Sequence, residues 1–113
     1  MSVSFEGVGQ VCATFLGDGL TEGHVVKLTG NGTVGNCDAG DPFCGVAICC
    51  KDDACTVQVC GFITVGYSGS APAVGWTALA ADGNGGVKAD GDDCRKLPVV
   101  DVDATAETVT ILL

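Results

Sequence analysis

The stretch that most limits how this chain can fold is FCGVAICCKDDACTVQVC, residues 43–60. Two runs of apolar and β-branched residues flank one charged turn, a pattern that predicts a β-hairpin. With Asp52 and Asp53 in the turn, Cys50 lies opposite Cys55, and opposed residues share one face of a sheet. The same register pairs Ile48 with Val57 and Val46 with Val59. The core-facing set is then Cys44, Val46, Ile48, Cys50, Cys55, Val57 and Val59, and the other face carries Ala47, Cys49, Lys51, Ala54, Thr56, Gln58 and Cys60.

Five of the eight cysteines lie in this hairpin, so their chemistry has to be considered first. Structural zinc sites use C-x₂₋₄-C knuckles that converge on one point, whereas the adjacent Cys49 and Cys50 point to opposite faces of a regular strand. A thioredoxin-like redox centre needs C-x-x-C at the start of a helix, and the sequence contains no such motif. Two interpretations stay open. Cys44, Cys50 and Cys55 can pack as small buried hydrophobes, which we favour, or Cys50 and Cys55 can form a cross-strand disulfide.

The other cysteines are candidates for links between subunits. Cys49 and Cys60 belong to the outer face of the hairpin, while Cys12, Cys37 and Cys94 fall in or near predicted loops. The N-terminal residues carry neither a basic segment nor a long apolar run, so they do not indicate a secretory signal. We therefore expect synthesis in the cytoplasm, where disulfides are rare. A chain that is released later by lysis would meet oxidising conditions.

The whole sequence predicts an all-β fold. Short alternating runs bounded by Gly, Asn and Asp recur along the chain, which contains 18 glycines, and no helical periodicity extends beyond about two turns. We expect a single compact barrel or sandwich of roughly 8–10 short, mainly antiparallel strands. The terminal strands SVSFE and TVTILL are predicted edges that could extend a neighbour's sheet.

Charge and composition exclude several classes of function. The net charge of −9 opposes binding to nucleic acid and to anionic lipid, and no apolar stretch approaches the roughly 20 residues of a membrane span. His24 is the only histidine, so an acid–base pair of histidines is excluded within one chain. The acidic loops at 82–86 and 90–93 lack the closing Glu of an EF-hand. We expect no catalytic residues, no cofactor and no metal.

A resemblance to a known family covers residues 20–113. The segments GHVVKL, GVA, VQVCG, YSGSAPAVGW and VVDVD occur in this order. In order and spacing they resemble small phage and prophage capsid-decoration or head-fibre proteins of the domain-of-unknown-function class. The resemblance implies a barrel or β-tulip-like domain, often trimeric, that binds the exterior of a phage capsid. The high cysteine content is a departure from the pattern of this family.

By position, the resemblance implies that residues 1–19 form an N-terminal arm with the first strands and that 20–113 form the decoration-like part of one domain. Ser2, Val3, Ser4 and Phe5 would be the arm that contacts the capsid. The expected partners are further copies of the chain, in a trimer or larger assembly, and the major capsid protein. The protein would be made in the host cytoplasm and placed on the virion surface.

The predicted function is therefore a structural, non-enzymatic component of a phage particle. An apolar content of 47% in a small domain supports this, because apolar surface left over after folding marks subunit interfaces. One alternative is an extracellular fibre or tube whose subunits are cross-linked by cysteines. A second is a small module that binds a glycan or a metal, with Trp76 and Tyr67 as its aromatic platform.

Overall fold

The computed structural model describes residues 10–89 and 95–113. These residues form ten β-strands and no helix. The all-β prediction and the predicted number of strands are confirmed. The strands are β1 (Val11–Leu16), β2 (Val25–Gly30), β3 (Thr33–Asn36), β4 (Gly45–Lys51), β5 (Ala54–Cys60), β6 (Phe62–Gly66), β7 (Gly75–Ala81), β8 (Val87–Ala89), β9 (Lys96–Asp103) and β10 (Thr108–Leu112).

The strands form two sheets, one from each half of the chain. The first is a closed barrel with the order β1-β3-β2-β4-β5, and the second is five-stranded with the order β6-β10-β9-β7-β8. Paired strands run antiparallel except for β1 and β3, which meet in parallel at Leu16 and Thr33. The two ends of the second sheet approach each other where Tyr67 bridges to Val87. β1, which belongs to the predicted 1–19 segment, is built into the barrel through its pairing with β5.

The central strands of the barrel are apolar on both faces because each face meets a different core. Val26, Ala47 and Val57 point into the barrel with Val34 and Cys55. Val25 and Val46, their neighbours in sequence, pack in the larger core of the second sheet with Leu79 and Ile111. This arrangement explains the runs VV and GVA, since a strand buried on both faces has no need of alternating polar residues.

The turn of the 43–60 hairpin lies where the sequence predicts it. Asp52 and Asp53 form the turn, Lys51 opposes Ala54, and Cys50 opposes Cys55. Farther from the turn the predicted register is wrong. Cys49 still lies opposite Thr56, as the predicted register requires, but an irregularity between Ala47 and Cys49 shifts the next pairs to Ala47 with Val57 and Val46 with Gln58.

The register shift changes which side chains the hairpin buries. Ile48, predicted in the core, is 41% exposed, whereas Ala47, predicted on the outer face, is fully buried. The physical reason is the second sheet, because β4 must present Ala47 to the barrel and Val46 to the other core. Ile48 is an extra residue in β4, and it changes which face of the sheet the preceding side chains point to, as bulges do. Gln58 is buried beside Val46, and its amide donates to the carbonyl oxygens of Cys60 and Phe62 at 3.2 and 3.0 Å.

The predicted edge at TVTILL is also wrong. Its strand, β10, lies between β6 and β9 and pairs with both, so neither side is open to a neighbour. Thr64 of β6 and Thr110 of β10 add a hydroxyl–hydroxyl hydrogen bond of 2.7 Å across one of these pairs. The other predicted edge, SVSFE, lies outside the described residues.

Cys50 and Cys55 form a disulfide, with Cα atoms 4.1 Å apart. The structure thus differs for this pair from the packed thiols that we favoured from the sequence. Cys55 belongs to the core of the barrel, and Cys50 packs against that core. The carboxylate of Glu22 accepts a hydrogen bond of 3.1 Å from the backbone N–H of Cys50. The bond therefore closes the turn end of the hairpin from inside the barrel.

Removing this disulfide is expected to destabilise the protein. The double substitution Cys50→Ala with Cys55→Ala should lower the free energy of unfolding by about 2 kcal/mol, the value expected for a short closed loop. Urea denaturation of the oxidised protein measures the change. Cys49→Ala is the matched control, because Cys49 is exposed and unbonded, and its effect should stay within about 0.5 kcal/mol. Equal stability of the double variant and the control would contradict the prediction.

Gly45 is expected to tolerate no side chain. A Cβ atom built there collides with the carbonyl oxygen of Gln58 and lies 2.7 Å from Cγ1 of Val57. Gly45→Ala should therefore lower the free energy of unfolding by about 1–3 kcal/mol, as overpacking does. Gly30→Ala is the control, since its Cβ would meet only Thr33 at 3.9 Å. A Gly45→Ala variant as stable as Gly30→Ala would show that β4 and β5 can separate there without loss.

Candidate interaction surfaces

The described residues leave six large apolar side chains exposed to solvent. They are Val11, Leu16, Leu28, Ile48, Val74 and Trp76. Two of them, Val11 and Leu16, lie on β1 of the barrel, while Val74 directly precedes β7 of the second sheet and Trp76 lies within it. Exposed apolar side chains that cluster on one element indicate a contact surface more strongly than scattered ones do. The two strands are therefore the candidate interaction surfaces.

The most exposed of these side chains is Trp76, at 74%. It lies opposite Pro98 of β9, so the two side chains share one face of the sheet. Val74, 68% exposed, precedes it by two residues. The hydroxyl of Thr77 donates to the carbonyl oxygen of Ala73 at 2.7 Å and ties this segment to the strand. We refer to Val74, Trp76 and Pro98 as the Trp76 patch.

A basic side chain adjoins the Trp76 patch. Lys96 of β9 lies opposite Ala78 of β7, and its side chain is therefore on the same face as those of Trp76 and Pro98. Both Arg95 and Lys96 are exposed, in a chain with only five basic residues and a net charge of −9. The patch thus combines an aromatic side chain with a local positive charge.

Tyr67, the other member of the predicted aromatic platform, lies elsewhere. It is 7% exposed and packs in the core of the second sheet. Its backbone N–H donates to the carbonyl oxygen of Glu107 at 3.0 Å. Trp76 and Tyr67 therefore do not form a common surface.

The unbonded cysteines differ in their access to solvent. Cys12, Cys49 and Cys60 are exposed, whereas Cys37 and Cys44 are half-buried. Cys12 is the second residue of β1. The register pairs Cys12 with Gln58, Cys49 with Thr56 and Cys60 with Val11. Among the described residues the structure therefore presents three exposed thiols, while Cys94 lies outside them.

Cys37 is the least suited of the described candidates to link subunits. Burial and the neighbouring carboxylate of Asp41 raise the pKa of its thiol to about 11. Burial also raises the pKa of Cys44. The carboxylate of Asp41 in turn binds Lys27, with Nζ and Oδ2 2.6 Å apart. This hydrogen bond raises the pKa of Lys27 and lowers the pKa of Asp41, and it fixes the loop after β3.

A polar cleft of about 270 Å³ lies beside His24, Ser68 and Asp82. The carboxylate of Asp82 accepts hydrogen bonds from the Ser68 hydroxyl at 2.6 Å and from the N–H groups of Asn84 and Gly86 at 2.7 and 3.0 Å. Asp82 thus closes the turn at 82–86. The Ser68 hydroxyl donates to Asp82 and not to His24, so these side chains do not form a serine–histidine pair.

No group of three or more metal-ligating side chains occurs in the described ranges. The second acidic loop, 90–93, lies outside them, as do Ser2, Val3, Ser4 and Phe5 of the predicted arm. Within 10–89 and 95–113, no helix has the length and apolar character to cross a membrane.

Alkylation is expected to separate the thiols into two groups. At pH 8, iodoacetamide should modify Cys37 at least about tenfold more slowly than Cys49, because a raised pKa lowers the thiolate fraction and only the thiolate reacts. Peptide mass spectrometry over time measures both rates in one sample, so Cys49 serves as the internal control. Raising the pH to 10 should accelerate the modification of Cys37, because more of its thiol is then ionised. Equal rates at pH 8 would contradict the burial of Cys37.

No protein-family model matches this chain, and neither a curated protein nor a solved structure matches it significantly. The likeness to capsid-decoration proteins that the sequence suggests therefore stays a prediction.

Proposed function

We propose that this protein is a structural, non-enzymatic component of a phage or prophage particle, which associates with further copies of itself and decorates the capsid exterior. The observation that carries the proposal is the Trp76 patch, which exposes an indole ring on a strand of the second sheet. Tryptophan is enriched among the residues that dominate protein–protein interfaces. The proposed partner of this patch is the major capsid protein.

The energetics of the Trp76 patch suit a docking surface. Burial of a tryptophan side chain removes about 150–250 Å² from water, which corresponds to roughly 4–6 kcal/mol at about 25 cal/mol per Å². Part of this is lost to association entropy. The entropic loss is reduced here because Trp76 belongs to a strand that is hydrogen-bonded to β9. A rigid aromatic side chain loses little conformational freedom on binding.

Charge supports a protein partner with an acidic border around its apolar site. The net charge of −9 opposes non-specific contacts between free copies in solution. Lys96, beside Trp76 on the same face, would attract carboxylates of the partner. Electrostatic complementarity of this kind raises association rates and excludes wrong partners.

The fibre alternative rests on a different observation, the three exposed thiols Cys12, Cys49 and Cys60. Under oxidising conditions they would link neighbouring subunits covalently. Sedimentation of the purified chain distinguishes the two functions. A decoration protein stays small without its capsid, whereas a fibre subunit forms large species that dissociate on reduction.

The test of capsid decoration uses particles from an induced lysate of a strain from which the gene has been deleted. Purified protein is added, and the particles are banded in a density gradient. The wild-type chain should band with the capsids, and Trp76→Ala should reduce its occupancy at least about tenfold, since the loss of an interface hot spot costs 2 kcal/mol or more. Leu28→Ala is the control, because Leu28 is also exposed but belongs to the barrel.

Lys96→Glu should slow the association with capsids and reverse its dependence on salt. Absence of the wild-type chain from the particle band would overturn the proposal. Equal occupancy by wild type and Trp76→Ala would overturn the assignment of the Trp76 patch.

A further inference from the structure

β1 and β3 close the barrel through a single residue pair. β1 pairs with β5 along its whole length, from Val11 to Leu16. On its other side, within the described part of the chain, it meets β3 at the single pair Leu16 and Thr33. No described strand pairs with Val11–Phe15 on this side. We refer to this open side of β1 as the β1 seam.

The backbone groups that face the β1 seam follow from two hydrogen bonds at its closed end. The N–H of Leu16 donates toward β3, to the carbonyl oxygen of Gly32 at 2.8 Å, and the N–H of Gly17 donates toward β5, to the carbonyl oxygen of Asp53 at 2.9 Å. Successive residues of a strand direct their backbone groups to alternate sides. Cys12 and Thr14 therefore direct their N–H and C=O groups into the β1 seam, and Ala13 and Phe15 direct theirs to β5.

The β1 seam lacks most of the features that protect an edge strand, and its one irregularity is the register shift between Val11 and Cys12, at the end away from β3. Its sequence, VCATFL, contains no charged residue and no proline, and every side chain except that of Phe15 is exposed. Natural edges are usually shielded by lysine, proline or short length. In a chain of net charge −9, an uncharged strip is also where a second acidic copy meets the least repulsion.

We propose that two copies of this protein associate through antiparallel pairing of their β1 strands about a two-fold axis at Ala13. This inference rests on the self-association that belongs to the proposed function. The axis places Cys12 of each copy opposite Thr14 of the other, and a pair of this kind exchanges two hydrogen bonds. The two pairs use every backbone group that Cys12 and Thr14 direct into the β1 seam, four hydrogen bonds in all.

The side chain at the axis fits this register. Ala13 faces its own copy in a pair without hydrogen bonds, where the Cα atoms come within about 4.5 Å. A small side chain is suited to that approach. An antiparallel edge is self-complementary under two-fold symmetry, which is the commonest symmetry of homo-oligomers. The pairing joins two barrels into one continuous sheet.

Sedimentation of the purified chain over a dilution series tests the association without any capsid. The wild-type chain should dissociate from dimer to monomer on dilution. Thr14→Pro should raise the dissociation constant at least about tenfold, because it removes the Thr14 N–H of each copy and so two of the four hydrogen bonds. The fold should be retained, since that N–H does not face β5 and proline is tolerated on the open side of an edge strand. Thr14→Val, which keeps the N–H, is the control.

Cross-linking tests the register. Thr14→Cys, in a background where Cys49, Cys60 and Cys94 are serine, brings a new thiol opposite Cys12 of the second copy at a Cα separation of about 5.5 Å, within the range of disulfides. Oxidised glutathione is the oxidant. Each S–S bond formed between the copies transfers two electrons and two protons to one glutathione disulfide, which becomes two thiols. A covalent dimer that contains a disulfide between residues 12 and 14 is expected. Thr105→Cys in the same background is the control and should not yield a covalent dimer linked between residues 12 and 105.

Each outcome decides the inference. A monomer at all concentrations, or an oligomer whose dissociation is unaffected by Thr14→Pro, would overturn the pairing of β1. A covalent dimer without the 12–14 link would overturn the axis at Ala13. None of these results depends on capsid binding, which the particle gradient measures independently. Failure of the β1 pairing and failure of capsid decoration are therefore separate observations.

Discussion

Double burial of the central barrel strands is the constraint on which the rest of the structure depends. β2 and β4 present one face to the interior of the barrel and the other to the second sheet. The interior receives Val26, Ala47 and Val57, and the second core receives Val25 and Val46. One layer of barrel strands thus borders both hydrophobic cores. A small chain can in this way bury two apolar cores while its surface remains acidic.

The sequence predicts the features that depend on neighbouring residues. Alternating runs and turn residues predict the all-β fold, and the charged pair Asp52 and Asp53 predicts the turn and the opposition of Cys50 and Cys55. These features are local, since a turn and the pairs next to it require only a few residues. The choice between packed thiols and a disulfide could not be made on the same basis, because the spacing suits both.

The errors concern features that depend on distant parts of the chain. The bulge at Ile48 arises because the second sheet, formed by residues after 60, needs Val46 on its side of β4. β10 ends the chain but lies inside its sheet, since β6 and β9 pair on either side of it. Position in the sequence does not reveal position in a sheet. The exposed face of Trp76 and the open side of β1 likewise became visible only once their neighbouring strands were placed.

The two ends of the described chain are held with very different mechanical strength. β1 has a full partner only in β5 and one pair with β3, so tension applied at residue 10 peels it away one pair at a time. β10 is bonded on both sides, and tension at Leu113 must break hydrogen bonds to β6 and β9 at the same time. A load transmitted through the chain therefore opens the barrel before it disturbs the second sheet. The second sheet, which carries Trp76, keeps its shape while the barrel yields.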